Sequence, residues 1–315
     1  MDISYLLWLQ DLRNATHNAW TPFMAGISQF SVSYLLCVPA FLYWCWDKKR
    51  GLQTLAAFSL SVAVASVVKL TACVYRPWIK DPHIIPAVKS LPGSYSFPSG
   101  HTSMGTPLYL GSALIFWRKK QTKVIAVLFV VFALLNAFSR NYLGVHTPQD
   151  VFVGLLLSII CLYAAWKAGA YFQQHPEKEN RFLAVVSVVG ILAFIYVLYK
   201  PYPLDYIDGK LLVNPQKMLK NAFEGIGVLL GFCAARYIEK TWIGFKETGL
   251  NFKGIGWGLI GFIPLYLFFV YAGKPLKHLL GANWGRFTWS ALLMVYIIAL
   301  YPLVLKFITA GNKNK

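Results

Sequence analysis

Charge is scarce in this chain: Asp, Glu, Lys and Arg make up 13% of its 315 residues, against 57% hydrophobic ones. A soluble globular domain carries about 25% charged residues, so this composition excludes one of that kind. Acid is scarcer still, with 12 Asp and Glu against 30 Lys and Arg, a formal charge of +18. In a soluble protein that excess suits nucleic acid. Here the basic residues are dispersed among short loops with no soluble domain to carry a binding surface, so no nucleic-acid partner is expected. Cysteine is limited to Cys37, Cys45, Cys73, Cys161 and Cys233, all within or at the ends of apolar runs. They lack metal-ligand spacing, which argues against a disulfide framework or zinc site and for small apolar packing. A basic leader is missing as well. Asp2, Asp11 and a single Arg13 precede a first apolar run too long for a cleavable signal.

What is abundant is apolar length. A hydrocarbon core about 30 Å thick takes roughly 17–25 apolar residues of helix. Nine such runs lie near residues 21–46, 52–75, 101–117, 124–139, 151–170, 182–199, 219–238, 254–271 and 289–307. The pattern predicts an all-α, polytopic transmembrane bundle of about nine spans: a six-helix core over residues 20–200 and three further helices over 201–315. Residues 1–19 are expected to lie at the interface, with residues 3–12 as a short amphipathic helix. Numbering the loops alternately puts more than half of the Lys and Arg on one side. These include Lys48, Lys49 and Arg50; Arg118, Lys119, Lys120 and Lys123; Lys167, Lys178 and Arg181; Arg236, Lys240, Lys246 and Lys253; and Lys306, Lys313 and Lys315. The positive-inside rule makes that side cytoplasmic, with the N-terminus outside and the C-terminus inside.

On the outer side, three polar clusters sit at the ends of neighbouring helices. Lys69-Leu-Thr-Ala-Cys-Val-Tyr-Arg76-Pro77 closes the second run. At 100° per residue, Lys69 and Arg76 return to within about 20° of each other, so one helix face is expected to carry both cations until Pro77 ends it. Pro98-Ser99-Gly100-His101 opens the third run. Ser99 is placed to cap the helix, and Gly100 lets a ligand approach the free amides, which with the positive helix end form an anion site. Ser139-Arg140 and His146-Thr-Pro-Gln-Asp150 join the fourth run to the fifth. Four residues apart, His146 and Asp150 can share a hydrogen bond that leaves the other ring nitrogen facing a pocket. Taken singly, a helix-end cation snorkels to headgroups, a histidine is structural, and Asp150 caps a helix. Their convergence on one membrane face within about eighty residues favours function, since ionisable groups there are costly.

These blocks resemble the three-part signature of the type 2 phosphatidic acid phosphatase superfamily: Lys-x6-Arg-Pro, Pro-Ser-Gly-His and Ser-Arg-x5-His-x3-Asp. The match runs from Lys69 to Asp150 without departure at a signature position. The resemblance implies a multi-pass membrane enzyme that removes phosphate from a lipid. His146 would be the nucleophile, Asp150 its orienting group, and His101 the general acid and then base. Lys69, Arg76, Arg140, Ser99 and the amide of Gly100 would hold the phosphate, with no metal or cofactor. The family spans phosphatases of phosphatidate, phosphatidylglycerophosphate, undecaprenyl diphosphate, lipid A and sphingoid phosphates, with glucose-6-phosphatase and vanadium haloperoxidases. The expected layout of nine spans is similar to that of glucose-6-phosphatase, a likeness of topology that transfers no substrate. A lipid is favoured, undecaprenyl diphosphate foremost. A lipid phosphotransferase using the same site, or a transporter or flippase for a phosphate headgroup, are the alternatives.

Elsewhere the signals are weaker. Residues 78–97 form a proline-punctuated loop suited to a lid over the pocket, in which Asp81 and His83 read as solvated. Lys220 and Glu224, four apart, read as a helix-end ion pair. Gly225, Gly227, Gly231, Gly254, Gly256, Gly258 and Gly261 permit close helix packing that would shape a lipid portal or support a homodimer.

Overall fold

Among the described residues nearly every apolar run is helical. The computed structural model describes residues 2–88 and 94–311. Residues 89–93 of the lid loop, and Lys313 and Lys315 of the charge pattern, lie outside the described residues. The N-terminal helix α1 (Asp2–Ala15) buries Leu6 and Leu9 against Ile84, with Trp78 packed alongside. Helices α2 (Thr21–Ser33) and α3 (Cys37–Cys45) form one apolar pair bent by 45°. The helices that follow are α4 (Lys48–Ala72), the short α5 (Pro77–Lys80), α6 (Gly100–Phe116), α7 (Lys123–Tyr142), α8 (Pro148–Gln174) and α9 (Glu179–Tyr199). After a small antiparallel hairpin pairing Tyr206–Ile207 with Lys210–Leu211 come α10 (Pro215–Met218), α11 (Lys220–Ile238), α12 (Phe252–Ile260), α13 (Phe262–Leu267), α14 (Gly273–Val295) and α15 (Tyr301–Gly311).

Among the described residues six helical stretches are long and apolar enough to cross a membrane: Lys48–Lys80, Lys120–Tyr142, Pro148–Gln174, Pro176–Tyr199, Pro215–Ile243 and Phe252–Ile308. The bent α2–α3 pair makes a seventh when counted as one span. This is a multi-pass membrane protein. The nine runs reduce to this count for two reasons. The run at 101–117 becomes a helix of 17 residues, short for a full crossing, and the last two runs join in one stretch. That stretch doubles back where Gly281 leaves the helix (φ 80°, ψ 167°). A Cβ at Gly285 would lie 2.6 Å from Lys277, and the rings of Phe268 and Trp289 stack across the reversal at 6.2 Å.

Helix α4 is the hub, packed against α3, α6, α8, α9 and α11. Its buried serines supply glue that an apolar solvent cannot. Ser61 Oγ donates to Ser103 O of α6 at 2.8 Å and lies 3.0 Å from Ser158 Oγ of α8, which itself bonds Gly154 O at 2.7 Å. On its other side α11 approaches closely enough that a Cβ at Gly231 would sit 2.6 Å from Ala291 of α14, and one at Gly225 2.6 Å from Ser66. These glycines serve packing within one chain. Val124, Leu128 and Leu134 of α7 and Val185, Val189 and Leu192 of α9 are exposed, as lipid-facing residues are.

The alternate loops do meet. At one end Lys48 pairs with Glu239 at 2.6 Å, and Arg236 with Glu179 at 2.8 Å and Glu239 at 2.5 Å. The opposite end gathers the C-termini of α4 and α7 with the N-termini of α6 and α8. There Glu224 pairs with Arg286 of α14 at 3.0 Å, which corrects the expected pairing with Lys220: the partner comes from a neighbouring helix, not from the next turn.

Candidate functional site

Helix α4 stops earlier than the spacing predicts. Cys73 takes a left-handed conformation (φ 49°), and its N–H returns to Lys69 O at 3.1 Å, a single-bond helix cap. Pro77 therefore opens α5 instead of ending α4, and Arg76, preceding a proline, is extended (φ −67°, ψ 154°). The expectation of one helix face bearing both cations is wrong, yet both reach the same end of the bundle by different routes. Lys69 Nζ donates to Pro98 O at 2.5 Å and Ser96 O at 2.9 Å, tying α4 to the segment ahead of α6. Arg76 donates through Nε to Ser94 Oγ at 3.0 Å and through Nη1 to Val145 O at 2.7 Å and His146 Nε2 at 2.9 Å.

That last bond fixes the imidazole. A guanidinium only donates, so Nε2 accepts and the ring proton is assigned to Nδ1. Nδ1 faces Asp150 Oδ2 and Ser96 Oγ, both at 3.3 Å. His146 lies just outside α8, and Asp150 occupies the third helical position, where its carboxylate also accepts the Thr147 N–H at 2.8 Å in a capping box. Capping and imidazole binding, which the sequence poses as alternatives, are performed by one oxygen. Ser96 donates a further short bond to it, and the carbonyl of Asp150 accepts Ser99 N–H at 2.9 Å. His146 and Asp150 are each 1% exposed. Burial, then the charges of Arg76, Arg140 and Lys69 and the ring of His101, holds the His146 imidazole well below its usual pKa, so it is neutral.

Ser99 caps α6, accepting from Thr102 N at 3.5 Å and Thr102 Oγ1 at 2.9 Å. A Cβ at Gly100 would meet no atom within 4 Å, so the first turn of α6 faces open space. His101 occupies that turn, its carbonyl held by Asn136 Nδ2 at 3.2 Å. Arg140 bonds Ser28 of α2, and its buried Nε finds no acceptor among the described residues. A buried, unused guanidinium N–H beside two other cations and a helix N-terminus is an anion site in waiting.

Several supporting groups stand outside the motif blocks. Ser94 and Ser96 lie in the loop taken as a lid, and Ser28 in an apolar run. Ser94 and Ser96 are hydroxyls just ahead of the Pro98–His101 block, whereas Ser28 carries no such signal. Asn141 Nδ2 holds the His146 carbonyl at 2.9 Å. Arg13 bonds Tyr142 O and Ile85 O at 2.7 Å each, and Gln10 clamps His83 O and Ile85 N, so α1 straps the described part of the loop to the α7–α8 turn. The exposed side chain of His83 pairs with Asp81 at 2.8 Å, away from this cluster.

A family model described as the PAP2 superfamily matches residues 50–174. YbjG of Escherichia coli (strain K12), whose name gives it provisionally as an undecaprenyl-diphosphatase, is 31% identical over 179 residues, 51% of this chain and 83% of its own length. Human sphingosine-1-phosphate phosphatase 2 is 28% identical over 219 residues, 69% of this chain and 52% of its own. Phosphatidylglycerophosphatase B of Bacillus subtilis (strain 168) is 28% identical over 145 residues, 44% and 67%. No solved structure matches. With the three motif blocks gathered at one end of a helical bundle and a relative of this identity covered over most of its length, the chain belongs to the PAP2 superfamily.

Proposed function

We propose that this PAP2 phosphatase hydrolyses a lipid phosphate or diphosphate through a phosphohistidine on His146, with undecaprenyl diphosphate the first substrate to test. The observation that carries the reading is a single imidazole held by a guanidinium on Nε2 and a carboxylate on Nδ1. Phosphoryl oxygens replace Nε2 as the acceptor of Arg76, which frees the ring lone pair as the anion arrives. Arg76, Arg140 and Lys69, with Ser99 and the Gly100 amide, hold the oxygens and balance their charge. Nε2 bonds to phosphorus as the P–O bond to the leaving group breaks, and His101 gives that oxygen a proton. Water then displaces the ring nitrogen, His101 takes its proton, and inorganic phosphate departs. Asp150 orients the ring and stabilises its charge while the N–P bond exists.

The relatives' names, which give an undecaprenyl diphosphate, a sphingoid phosphate and phosphatidylglycerophosphate, support a lipid substrate. Phosphate release by the detergent-solubilised protein from prenyl diphosphate, phosphatidate, phosphatidylglycerophosphate, sphingoid phosphate, lipid A and glucose 6-phosphate tests this. Release from at least one lipid is expected, whereas none from any of them favours a headgroup transporter. EDTA should leave the rate within about twofold, because fixed cations neutralise the phosphoryl charge. Among the described residues no group of three His, Cys, Asp or Glu side chains could hold a metal ion.

Ser96 acts as a positioning residue. Ser96→Ala should lower kcat roughly tenfold, the cost typical of removing an orienting hydrogen bond, with KM within about twofold of wild type. An unchanged kcat would remove Ser96 from the site.

The site faces the extracytoplasmic or luminal side in this reading, with the N-terminus outside and the C-terminus cytoplasmic. Support comes from the cluster of Lys48, Arg236 and Lys240 at the other end. Nine crossings follow if the bent α2–α3 pair, α6 and both limbs around Gly281 each count. Residues 20–200 then form the catalytic core and 201–315 an extension.

A further inference from the structure

Between the core and the extension lies an amphiphilic cavity lined by none of the residues that the proposed reaction uses. Its lower part is a cleft of about 430 Å³ walled by Phe58, Val62, Met104, Leu108, Val228 and Leu293, within the roughly 300–1,000 Å³ of ligand pockets. Met104 lies one helical turn beyond His101, so the cleft starts just below the catalytic end and runs into the apolar layer. Its upper part is a chamber of about 270 Å³ reached by Lys274, Lys277 and Arg286. Glu224, Phe269, Val270 and Trp289 line both, so the two adjoin.

The charges at the rim do not balance. Lys220 is within electrostatic reach of Glu224, Arg286 and Lys277. Four cations thus surround one carboxylate, which is already bonded to Arg286 at 3.0 Å. The opposite end of the bundle differs: there Glu179 and Glu239 together answer Lys48, Arg236 and Lys240. At the seam between apolar cleft and basic rim, the buried indole N–H of Trp289 has no acceptor among the described residues. A surplus of positive charge above a greasy slot, with an unused donor at the junction, complements one kind of molecule: an amphiphile whose headgroup is anionic.

We infer that this cavity binds an anionic lipid, its hydrocarbon chain in the cleft and its headgroup against Lys274, Lys277 and Arg286, at a site separate from the phosphate cradle of His146. The site draws on the helices that lie beyond the motif blocks and gives them a ligand.

The test reads binding, not turnover, so its failure leaves the phosphatase reading standing. The full chain is reconstituted in phosphatidylcholine vesicles, with brominated phosphatidylglycerol or, at equal mole fraction, brominated phosphatidylcholine as quencher of tryptophan fluorescence. The Trp289 contribution is the difference between wild type and Trp289→Phe. Saturable Trp289 quenching by the anionic lipid is expected, with little from the zwitterionic one. In K274Q/K277Q, two exposed changes that leave the fold intact, half-quenching should need roughly tenfold more anionic lipid, given the attraction each basic residue exerts on such lipids. Val228→Phe, which fills the slot, should weaken quenching with both lysines in place. Equal quenching by the two lipids would reduce the cavity to ordinary lipid-facing surface. Unchanged quenching in K274Q/K277Q, or displacement by inorganic phosphate, would equally overturn the assignment.

Discussion

Alanine at position 146 should lower phosphate release by about 10³-fold or more while leaving substrate binding largely intact. The comparison comes from hydrolytic triads, where loss of the nucleophile costs up to about 10⁶ in kcat and the remaining groups retain modest catalysis. In this site the remaining groups are the cations and the N-terminal turn of α6, which bind phosphate without His146. KM should therefore move by less than about fivefold, on the logic that a group acting only in the transition state changes kcat. Asp150→Asn should be milder and leave measurable activity. The amide keeps an oxygen that can accept from Nδ1–H and Thr147 N–H, although it loses the charge that steadies the phosphorylated ring. Steady-state kinetics of the purified variants decide the matter. Full activity in His146→Ala would refute the nucleophile assignment.

Alanine at position 101 should nearly abolish turnover of a lipid phosphate, by about 10² to 10⁴, the range for general acid–base groups. Its signature is dependence on the leaving group. A phosphate ester of an acidic phenol needs no proton to depart, so the first step survives. The second step still needs a base for water, and the phosphohistidine then accumulates. Rapid mixing should show a burst of phenol close to one equivalent of enzyme, followed by slow turnover. An equal, burst-free loss with alkyl and aryl substrates would assign His101 to binding or structure, because the helix-end position alone serves either role.

How much of this was legible in the residues depends on the length scale. Apolar runs reveal helices, and the motif blocks reveal which ends carry chemistry, because both are local patterns. The termination of α4 was not legible: Cys73 closes it in a left-handed conformation that the residue type does not advertise, so phase counted across Lys69 to Arg76 fails. The reversal at Gly281 was equally hidden, since a glycine in an apolar segment reads as packing until its φ is seen to be positive. Partnerships across the chain were invisible for another reason. Arg13 with Tyr142, Ser28 with Arg140 and Glu224 with Arg286 join residues far apart in sequence, and only the folded bundle selects them over nearer partners. Ser96 is the instructive case: a loop serine by composition, it bonds the carboxylate behind His146 because Lys69 pulls its backbone down onto α4.

The central claim is that phosphorus becomes bonded to one ring nitrogen. The protein is mixed with lipid substrate carrying ³²P in the transferred phosphoryl group, quenched in alkali during turnover, digested and mapped. Acid-labile, base-stable label on the peptide containing His146 in the wild type, approaching one equivalent when His101→Ala is given a ³²P-labelled aryl phosphate in place of the lipid, and lost in His146→Ala, is the expected result. Label that never becomes covalent in a variant still releasing phosphate, or that resides on His101 or a serine, would contradict it.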